Sequence, residues 1–305
     1  MKTVAQLGED ALVAALLAQL PGGPGRGVVA GAGQDDCAVV RVAGAKRWQL
    51  LKTDCVIEGV HFSPATAPRA VGWKALCRPL SDLAATGGKP AHALVTLALR
   101  GDVPVEWAAQ VYEGIAQAAA EYGVVVVGGE TARTPGPCWL SVCLTGGVRR
   151  GKAVTRGGGR VGDRLYVTGR LGGSFASGRH LAFRPRLAEA RWLVKNFPVR
   201  AMMDLSDGLA ADLPRMARAS GTGFVVDPGQ VPRAEGCTVA QALGDGEDYE
   251  LLFAVGPKHV DRLEHAWKER WPAVPLTGVG EFSEVDVAVG LEAGRGYDHF
   301  TTPAA

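Results

Sequence analysis

The sequence predicts an α/β protein, of the α+β kind, that is built from two domains. Its 305 residues are enough for two hydrophobic cores. Apolar runs with strand-like and helix-like spacing are mixed along both halves of the chain. A basic, glycine-rich stretch at residues 149–162 lies between the halves and is typical of a domain boundary. We therefore expect an N-terminal domain at residues 1–150 and a C-terminal domain at residues 151–305.

In the N-terminal half, apolar periodicity predicts helices and strands in turn. Pro79 lies inside one expected helix and predicts a kink, or a break between two helices, near Arg78. Residues 124–127 are four consecutive valines, which predict a buried strand that ends before Glu130. The expected elements are helices at residues 10–20, 70–86 and 105–122, and strands at residues 37–42, 48–52, 56–62, 91–99, 124–127 and 139–147.

The C-terminal half is organised around residues 202–213, where three aspartates and a serine lie between apolar flanks. The spacing predicts a strand that runs into Asp204, then a turn, then a helix. We expect Asp212 to cap a helix at residues 213–220, because this places Pro214 in the first turn. The other expected elements are helices at residues 180–195 (in part) and 260–271, and strands at residues 164–168, 224–226, 251–255 and 278–289.

Composition excludes several classes of protein. Hydrophobic residues make up 47%, charged residues 21%, and the formal net charge is +2, which argues against disorder and against nucleic acid as a partner. No run of 18 apolar residues exists, so we expect no membrane span. The first ten residues lack a signal-peptide pattern, and the six cysteines form no C-x-x-C pair. We therefore expect a cytoplasmic protein with reduced thiols.

Short acidic clusters fall at expected ends of helices and strands, and most adjoin Gly, Ser or Thr. A single Asp after a strand is more often a cap or turn residue than a ligand. Several carboxylates that converge would repel one another, and Mg²⁺ is then the natural counter-charge because it prefers oxygen ligands and bridges phosphates. The clusters are Asp35-Asp36, Asp54, Asp82, Glu130, Asp204 with Asp207 and Asp212, and Glu247-Asp248.

Several common nucleotide and hydrolase motifs are missing from the sequence. There is no G-x-x-x-x-G-K-[ST], no paired H-R-D and D-F-G, and no G-x-S-x-G. The glycine run at residues 157–159 precedes an expected strand, so it does not match a dinucleotide-binding fingerprint. P-loop proteins, protein kinases and α/β hydrolases are therefore excluded.

The acidic motifs, taken in order, resemble those of the thiamine-monophosphate kinase family. That family shares a superfamily with aminoimidazole ribonucleotide synthetase, selenophosphate synthetase and a hydrogenase-maturation protein. The resemblance covers nearly the whole chain. The matching motifs are Asp35-Asp36-Cys37-Ala38; Thr53-Asp54; Glu58-Gly59-Val60-His61-Phe62; Leu80-Ser81-Asp82-Leu83-Ala84-Ala85; Gly128-Gly129-Glu130-Thr131-Ala132-Arg133; Asp204-Leu205-Ser206-Asp207-Gly208-Leu209; Gly246-Glu247-Asp248-Tyr249-Glu250-Leu251-Leu252; and Gly296-Tyr297-Asp298-His299-Phe300.

The resemblance implies a two-domain aminoimidazole ribonucleotide synthetase-like fold, with an N-terminal mixed sheet and a C-terminal α/β domain. It implies ATP-dependent phosphorylation of thiamine monophosphate to thiamine diphosphate by direct, in-line transfer, with several Mg²⁺ ions. Because two anionic phosphates must meet, such a site supplies cations and positioning more than a nucleophile. It also implies a homodimer, with the N-terminal domain contributing Mg²⁺ binding, ATP binding and dimerisation, and the C-terminal domain contributing substrate and Mg²⁺ binding.

Site residues follow from the resemblance motif by motif. Catalytic roles would fall to Asp207 and Asp54. The implied Mg²⁺ ligands are Asp35, Thr53, Asp54, Asp82, Glu130, Asp204 and Asp207. The implied ATP contacts are Tyr112, Gly129, Glu130, Arg156 and Ser206. The implied contacts to thiamine monophosphate are His61, Glu247 and Tyr297, where an aromatic face suits a cationic thiazolium.

More ordinary interpretations stand beside these roles. A histidine such as His61 on a half-buried strand is often a core residue, and Tyr297 has the character of a packing residue. Arg156 in a glycine-rich loop would, without the motif, be a solvated charge.

Four positions depart from the family pattern: Gln34, Lys52, the Arg78-Pro79 pair and Glu130. Lys52 and Arg78 add two cations beside the expected metal ligands. Either these cations hold phosphate directly and fewer Mg²⁺ ions are needed, or the activity is altered. Two alternatives therefore stay open: a paralogue with the same ATP chemistry and a different acceptor, and a nucleotide-binding protein without catalysis.

Overall fold

The computed structural model describes residues 3–20, 25–292 and 294–300. These residues form two six-stranded sheets with helices packed on them. The helices are α1 (Val4–Leu7), α2 (Glu9–Leu17), α3 (Pro68–Ala85), α4 (Val105–Tyr122), α5 (Leu187–Asn196), α6 (Leu209–Ser220), α7 (Val239–Gly244) and α8 (Val260–Arg270). The strands are β1 (Val28–Ala30), β2 (Ala38–Arg41), β3 (Arg47–Ile57), β4 (Lys89–Leu99), β5 (Val125–Arg133), β6 (Trp139–Arg149), β7 (Arg164–Thr168), β8 (Val199–Leu205), β9 (Gly223–Val226), β10 (Glu250–Val255), β11 (Leu276–Ser283) and β12 (Ala288–Val289).

The first sheet has the strand order β1-β2-β3-β6-β4-β5. Its neighbouring strands are antiparallel except for β4 and β5, which are parallel. Helix α3 lies on the inner face of this sheet, and α4 packs on α3. Gly72 and Gly114 make that close approach possible, since a Cβ at either would overlap a carbonyl oxygen of the other helix.

The second sheet has the order β12-β9-β11-β7-β10-β8 and is antiparallel except for β9 and β12. Helix α3 also contacts β8 and α5, so it lies between the two sheets. One buried cluster runs from Leu76 of α3 to Met202 and Phe253 of the second sheet. The two halves are therefore held together by a shared apolar core. Among the described helices, none is both long and apolar enough to span a bilayer.

Helix α3 is one helix, so of the two outcomes expected near Arg78 the break between two helices is wrong, and the kink stays a prediction. Pro79 lies inside it and is buried, as are most residues of the helix. A proline inside a helix removes one backbone hydrogen bond and costs about 3 kcal/mol. Burial of the whole helix between two sheets outweighs that local cost.

The four-valine run does not form a buried strand. Strand β5 is the edge of its sheet, and Val125 and Val127 are 58% and 57% exposed. Leu94 on the neighbouring strand is 47% exposed as well. The outer face of this sheet is uncovered by the described chain, and the sequence pattern cannot distinguish such a face from a buried one.

Two further boundaries differ from expectation. The strands expected at residues 48–52 and 56–62 are the single strand β3 and a turn in which Glu58 bridges Phe62. Helix α6 begins at Leu209, so Asp212 does not cap a fresh helix; it lies in the first turn, and Pro214 lies inside the helix. Gly208 precedes α6 with φ 94°, a left-handed conformation that glycine adopts without strain.

Candidate active site

A cavity of about 740 Å³ lies between the two sheets, where α2, β3, α3, β8 and α6 meet. Carboxylates and cations dominate its polar lining. Apolar side chains of α2 close one side of it. The charged lining residues are Glu9, Asp10, Asp35, Lys52, Asp54, Arg78, Asp82, Arg156, Asp204, Asp207, Arg215 and Arg218, with His299 also at the wall.

Three buried aspartates converge at this cavity, and we call them the carboxylate cluster: Asp36, Asp82 and Asp204. One carboxylate oxygen from each lies within 4.8 Å of the others. Asp36 precedes β2, Asp82 belongs to α3 and Asp204 to β8, so both halves of the chain contribute. Ser81 Oγ donates to Asp204 Oδ2 at 2.6 Å and orients that carboxylate.

Burial pushes three carboxylates of this region, Asp35, Asp82 and Asp204, toward their protonated forms. Burial and the charge of Asp36 raise the pKa of Asp204 to about 7. Burial also raises the pKa of Asp82 well above its usual range, and nearby aspartates add to the effect. Burial and Asp36 raise the pKa of Asp35 to about 7. Such a group of carboxylates is stabilised by added cations.

Two cations of the chain already lie among these carboxylates. Lys52 Nζ is 2.7 Å from Asp82 Oδ1 and 3.6 Å from Asp54 Oδ1. Arg156 Nε donates to Asp36 Oδ1 at 2.9 Å. Burial alone would lower the pKa of Lys52, but Asp54 and Asp82 outweigh it and raise that pKa well above its usual value.

After these ion pairs, two carboxylate oxygens of the region are still unpaired. Asp36 Oδ2 and Asp54 Oδ2 are buried and have no hydrogen-bond partner among the described residues. An all-oxygen donor set with free, buried oxygens suits Mg²⁺. The residues present therefore fit a divalent cation, with Asp36, Asp82 and Asp204 close enough to share it and Asp54 Oδ2 as a further unpaired carboxylate oxygen in the cavity lining.

Asp207 and Ser206 line the same cavity at the end of β8. The Asp207 carboxylate is paired with Arg215, which also binds Asp212 Oδ1 at 3.0 Å. Asp212 Oδ2 accepts the backbone N–H of Asp207 at 3.0 Å. Asp212 thus fixes the turn before α6, and Asp207 stands apart from the carboxylate cluster.

A second group of charged side chains surrounds Lys74, which lies on the same face of α3 as Asp82 and about two turns before it. We call it the lysine network: Lys74, His180 and Glu247. Lys74 Nζ, which is fully buried, donates to Glu247 Oε2 and to His61 O at 2.8 Å. His180 Nδ1 lies 2.7 Å from Lys74 Nζ and 3.0 Å from Glu247 Oε2.

The protonation of this network follows from its packing. Burial lowers the pKa of Lys74 to about 8, although Glu247 opposes the shift. Burial alone would raise the pKa of Glu247, but hydrogen bonding to His180 and the charges of Lys74 and Arg78 hold it well below its usual range. Burial and the charge of Arg78 lower the pKa of His61 to about 2, so this imidazole is neutral.

Backbone geometry marks the segment that carries Glu247. Glu247 and Tyr249 have φ of 56° and 52°, which non-glycine residues rarely adopt. Their N–H groups donate to Ser206 O at 2.7 Å and Leu205 O at 2.8 Å. The strained segment is therefore fastened to the end of β8, beside the cavity.

The comparisons with known proteins agree with this geometry. The model of AIR synthase related protein, N-terminal domain, matches residues 34–148, and the model of its C-terminal domain matches residues 160–281. The thiamine-monophosphate kinase of Rhodopirellula baltica is 37% identical over 81% of this chain and 81% of its own length. The chain belongs to the thiamine-monophosphate kinase family.

Other members of the family match over almost the full length. The enzyme of Synechococcus elongatus is 30% identical over 99% of both chains. The solved structure of AaThiL complexed with AMPPCP and TMP is 30% identical, with a TM-score of 0.80 over 98% of this chain and 99% of that one. The two-domain aminoimidazole ribonucleotide synthetase-like fold expected from the motifs is confirmed.

The structure brings most of the residues implied by family resemblance to one place. Asp35, Asp54, Asp82, Asp204 and Asp207 line the cavity together with Arg156 and Ser206. His61 and Glu247 lie just behind it, joined through Lys74. Tyr297 meets His299 edge to face at 5.0 Å, and His299 lies 5.5 Å from His61.

Four of these residues lie away from the cavity of this chain. Thr53 neighbours Asp54 on β3 and therefore faces the outer side of the sheet, where its Oγ1 meets Ser141 Oγ at 3.3 Å. Glu130 pairs with Thr96 on the same exposed face, and its Oε1 accepts the N–H of Thr131. Gly129 belongs to the exposed edge strand β5, and Tyr112 is 40% exposed on α4.

Four residues of the site were not singled out from the sequence: Asp36 as a ligand, Lys74, His180 and Arg215. Asp36 had a signal, since it adjoins Asp35 in the first acidic motif. Lys74 had a weak one, because a lysine breaks the apolar stripe of α3. His180 and Arg215 lie in no motif and meet the site only through the fold.

Proposed function

We propose that the protein transfers the γ-phosphoryl group of ATP to thiamine monophosphate, giving thiamine diphosphate and ADP. The observation that carries the proposal is the carboxylate cluster, buried at a cavity between the two halves of a family member. Transfer between two phosphates needs concentrated positive charge and positioning rather than a protein nucleophile. The alternative acceptor and the non-catalytic protein remain as outcomes of the test below.

We infer that Mg²⁺ is held here by Asp36, Asp54, Asp82 and Asp204, with Asp35 close by. When bound, Mg²⁺ neutralises phosphate oxygens and orients them for in-line transfer. Lys52 fixes the position of Asp82, and Ser81 fixes that of Asp204. These contacts keep the carboxylates in place before the substrates arrive.

For ATP, we propose contacts from Arg156 and Ser206 at the cavity wall. Arg156 offers a planar fork suited to phosphate, which it now directs at Asp36. Asp207 is oriented by Arg215, and we propose that it acts with Asp54 at the reacting phosphates.

For the acceptor, we propose the aromatic group of His61, Tyr297 and His299, together with Glu247. The neutral imidazole of His61 and the phenol of Tyr297 present π faces to a cationic thiazolium. Glu247 adds a carboxylate that stays ionised in the lysine network. The strained backbone at Glu247 holds that carboxylate in one direction.

We propose that a second copy of the chain covers the outer face of the first sheet. Leu51, Leu94, Val125 and Val127 are exposed there, and β5 leaves a free strand edge. Pairing of two N-terminal domains would bury Thr53, Gly129 and Glu130. Their proposed roles in binding metal and ATP would then depend on the dimer. We propose that the ATP contact of Tyr112 depends on the dimer as well. The division at residues 150 and 151 remains our working boundary.

The dimer is tested by light scattering after size exclusion. Wild type is expected to run as a dimer and Leu94→Glu as a monomer, because a buried charge opposes association. Val161→Glu replaces a residue that is 52% exposed outside this face, and it should leave the mass unchanged. If the Leu94→Glu protein is still a dimer, the outer face is not the interface between the two copies.

We propose a cytoplasmic location. The six cysteines are free in the structure, three of them buried as small core residues. Reduced thiols are typical of that compartment, where ATP is also supplied.

The activity is tested with purified protein, Mg-ATP and thiamine monophosphate, with thiamine diphosphate and ADP quantified. Wild type should form both in equal amounts, and Asp204→Asn should lower the rate by about 10²-fold or more, as expected for loss of a charge-stabilising group. Asp227→Asn removes an exposed aspartate bonded to Gln230 and serves as the control. ATP consumption with another phosphate acceptor, or ATP binding without turnover, would replace the proposal.

A further inference from the structure

Among the described cations that line the cavity, Arg78 differs from the others in having buried donors without a partner. Its Nε and Nη1 are buried and have no hydrogen-bond partner among the described residues. By contrast, Lys52 binds Asp82, Arg156 binds Asp36 and Arg215 binds Asp207. A buried guanidinium with unused donors is unfavourable unless a ligand supplies acceptors.

The surroundings of Arg78 show which kind of ligand fits. It follows Lys74 by one helical turn and precedes Asp82 by another, so it lies between the lysine network and the carboxylate cluster. The nearest carboxylate oxygen paired with it is Glu247 Oε1, 3.9 Å from Nη1, too long for a hydrogen bond. The free donors therefore face a gap between an acidic, aromatic region and the metal-binding region.

We propose that Arg78 binds the phosphate of the acceptor, a phosphate monoester that also carries a cationic ring. The inference rests on the proposed function and adds a specificity-determining residue to it. Such an acceptor needs a carboxylate and aromatic faces for its cation and a guanidinium fork for its phosphate. Glu247, the rings of His61 and His299, and Arg78 supply these groups side by side.

The same position explains why Arg78 rather than Lys52 takes this role. Lys52 is held between Asp54 and Asp82, so its ammonium neutralises carboxylates. Arg78 keeps its donors free and lies on the acceptor side of that pair. A phosphate bound at Arg78 stands next to the carboxylate cluster, where a transferred phosphoryl group would be received.

The inference is tested by calorimetric binding of thiamine monophosphate and of thiamine to the full chain, without ATP and with EDTA. Wild type should bind the monophosphate at least about tenfold more tightly than thiamine, the usual effect of charge-assisted hydrogen bonds. Arg78→Gln should bind both equally, and Arg78→Lys should retain part of the preference. Arg69→Gln, at an exposed ion pair on the same helix, should behave as wild type.

Two results with the thiamine compounds and the nucleotide would overturn the inference. One is an Arg78→Gln protein that keeps the wild-type preference for the monophosphate while thiamine affinity is unchanged. The other is an Arg78→Gln protein that loses affinity for AMPPCP and keeps that preference, which would assign Arg78 to the nucleotide. If wild type binds neither thiamine compound, the proposed acceptor fails. Inorganic phosphate then becomes the probe: equal binding by wild type and Arg78→Gln would overturn the phosphate role itself.

Discussion

One face of α3 carries two regions with opposite charge balance. At Asp82 it enters the carboxylate cluster, where burial raises the pKa values of Asp82 and Asp204. Two turns earlier, at Lys74, it enters the lysine network, where cations hold the pKa of Glu247 below its usual range. The first region has more carboxylates than cations and can bind further positive charge, whereas the carboxylate of the second is already paired with cations of the protein.

One helix can thus serve both binding and structure. Carboxylates that outnumber their cations form a receptive site for metal and phosphate. A buried carboxylate that is matched by a lysine and a histidine acts instead as a fastening between the two halves of the chain. Metal should therefore change the stability of the first region and leave that of the second unchanged.

The largest effect is expected from Lys74→Met. Removing this cation leaves Glu247 with less compensation, which should lower the free energy of unfolding by about 3 kcal/mol. Mg²⁺ should not restore it. Urea denaturation with and without Mg²⁺ measures both. The double variant Lys74→Met with Glu247→Gln should recover much of the loss, and a double variant as unstable as Lys74→Met alone would contradict the pairing.

A smaller, metal-dependent effect is expected from Lys52→Met. In EDTA, loss of the cation between Asp54 and Asp82 should lower the free energy of unfolding by about 2 kcal/mol. The proposed Mg²⁺ site exists only in the folded chain, so Mg²⁺ should stabilise this variant more than wild type because it replaces the missing charge. An equal increase in the unfolding free energy of wild type and Lys52→Met on adding Mg²⁺ would contradict this difference between the two regions.

Much of the receptive region could be predicted from the sequence, whereas the neutralised one could not. Asp82 and Asp204 lie in short motifs at the ends of apolar runs, and candidate ligands of that kind carry a local signal. Lys74 meets His180 and Glu247 from distant parts of the chain, so only the fold reveals the network. The exposure of β5 could not be predicted for a related reason. A run of four valines gives the same sequence pattern whether a helix layer, a second chain or water covers the strand.

One placement could have been reached by reasoning on geometry alone. Thr53 and Asp54 are neighbours on a strand, and successive side chains point to opposite faces. Only one of the two side chains can therefore line a given cavity, even though the two residues share a motif. Pro79 shows the limit of a local rule. A proline does disfavour the interior of a helix, but α3 is still one helix because its burial outweighs that local cost.

The smallest expected effect is a pH dependence that belongs to the lysine network. Burial lowers the pKa of Lys74 to about 8, whereas an unfolded lysine titrates near pH ~10.4. Between these values the unfolded chain binds more protons, so stability rises with pH. From pH 8 to pH 9, wild type should gain about 1 kcal/mol relative to Lys74→Met in urea denaturation. Lys258→Met, at an exposed lysine, should follow wild type. A difference that stays flat or falls with pH would mean that Lys74 is not buried as a charged group, and the contrast between the two regions of α3 would be lost.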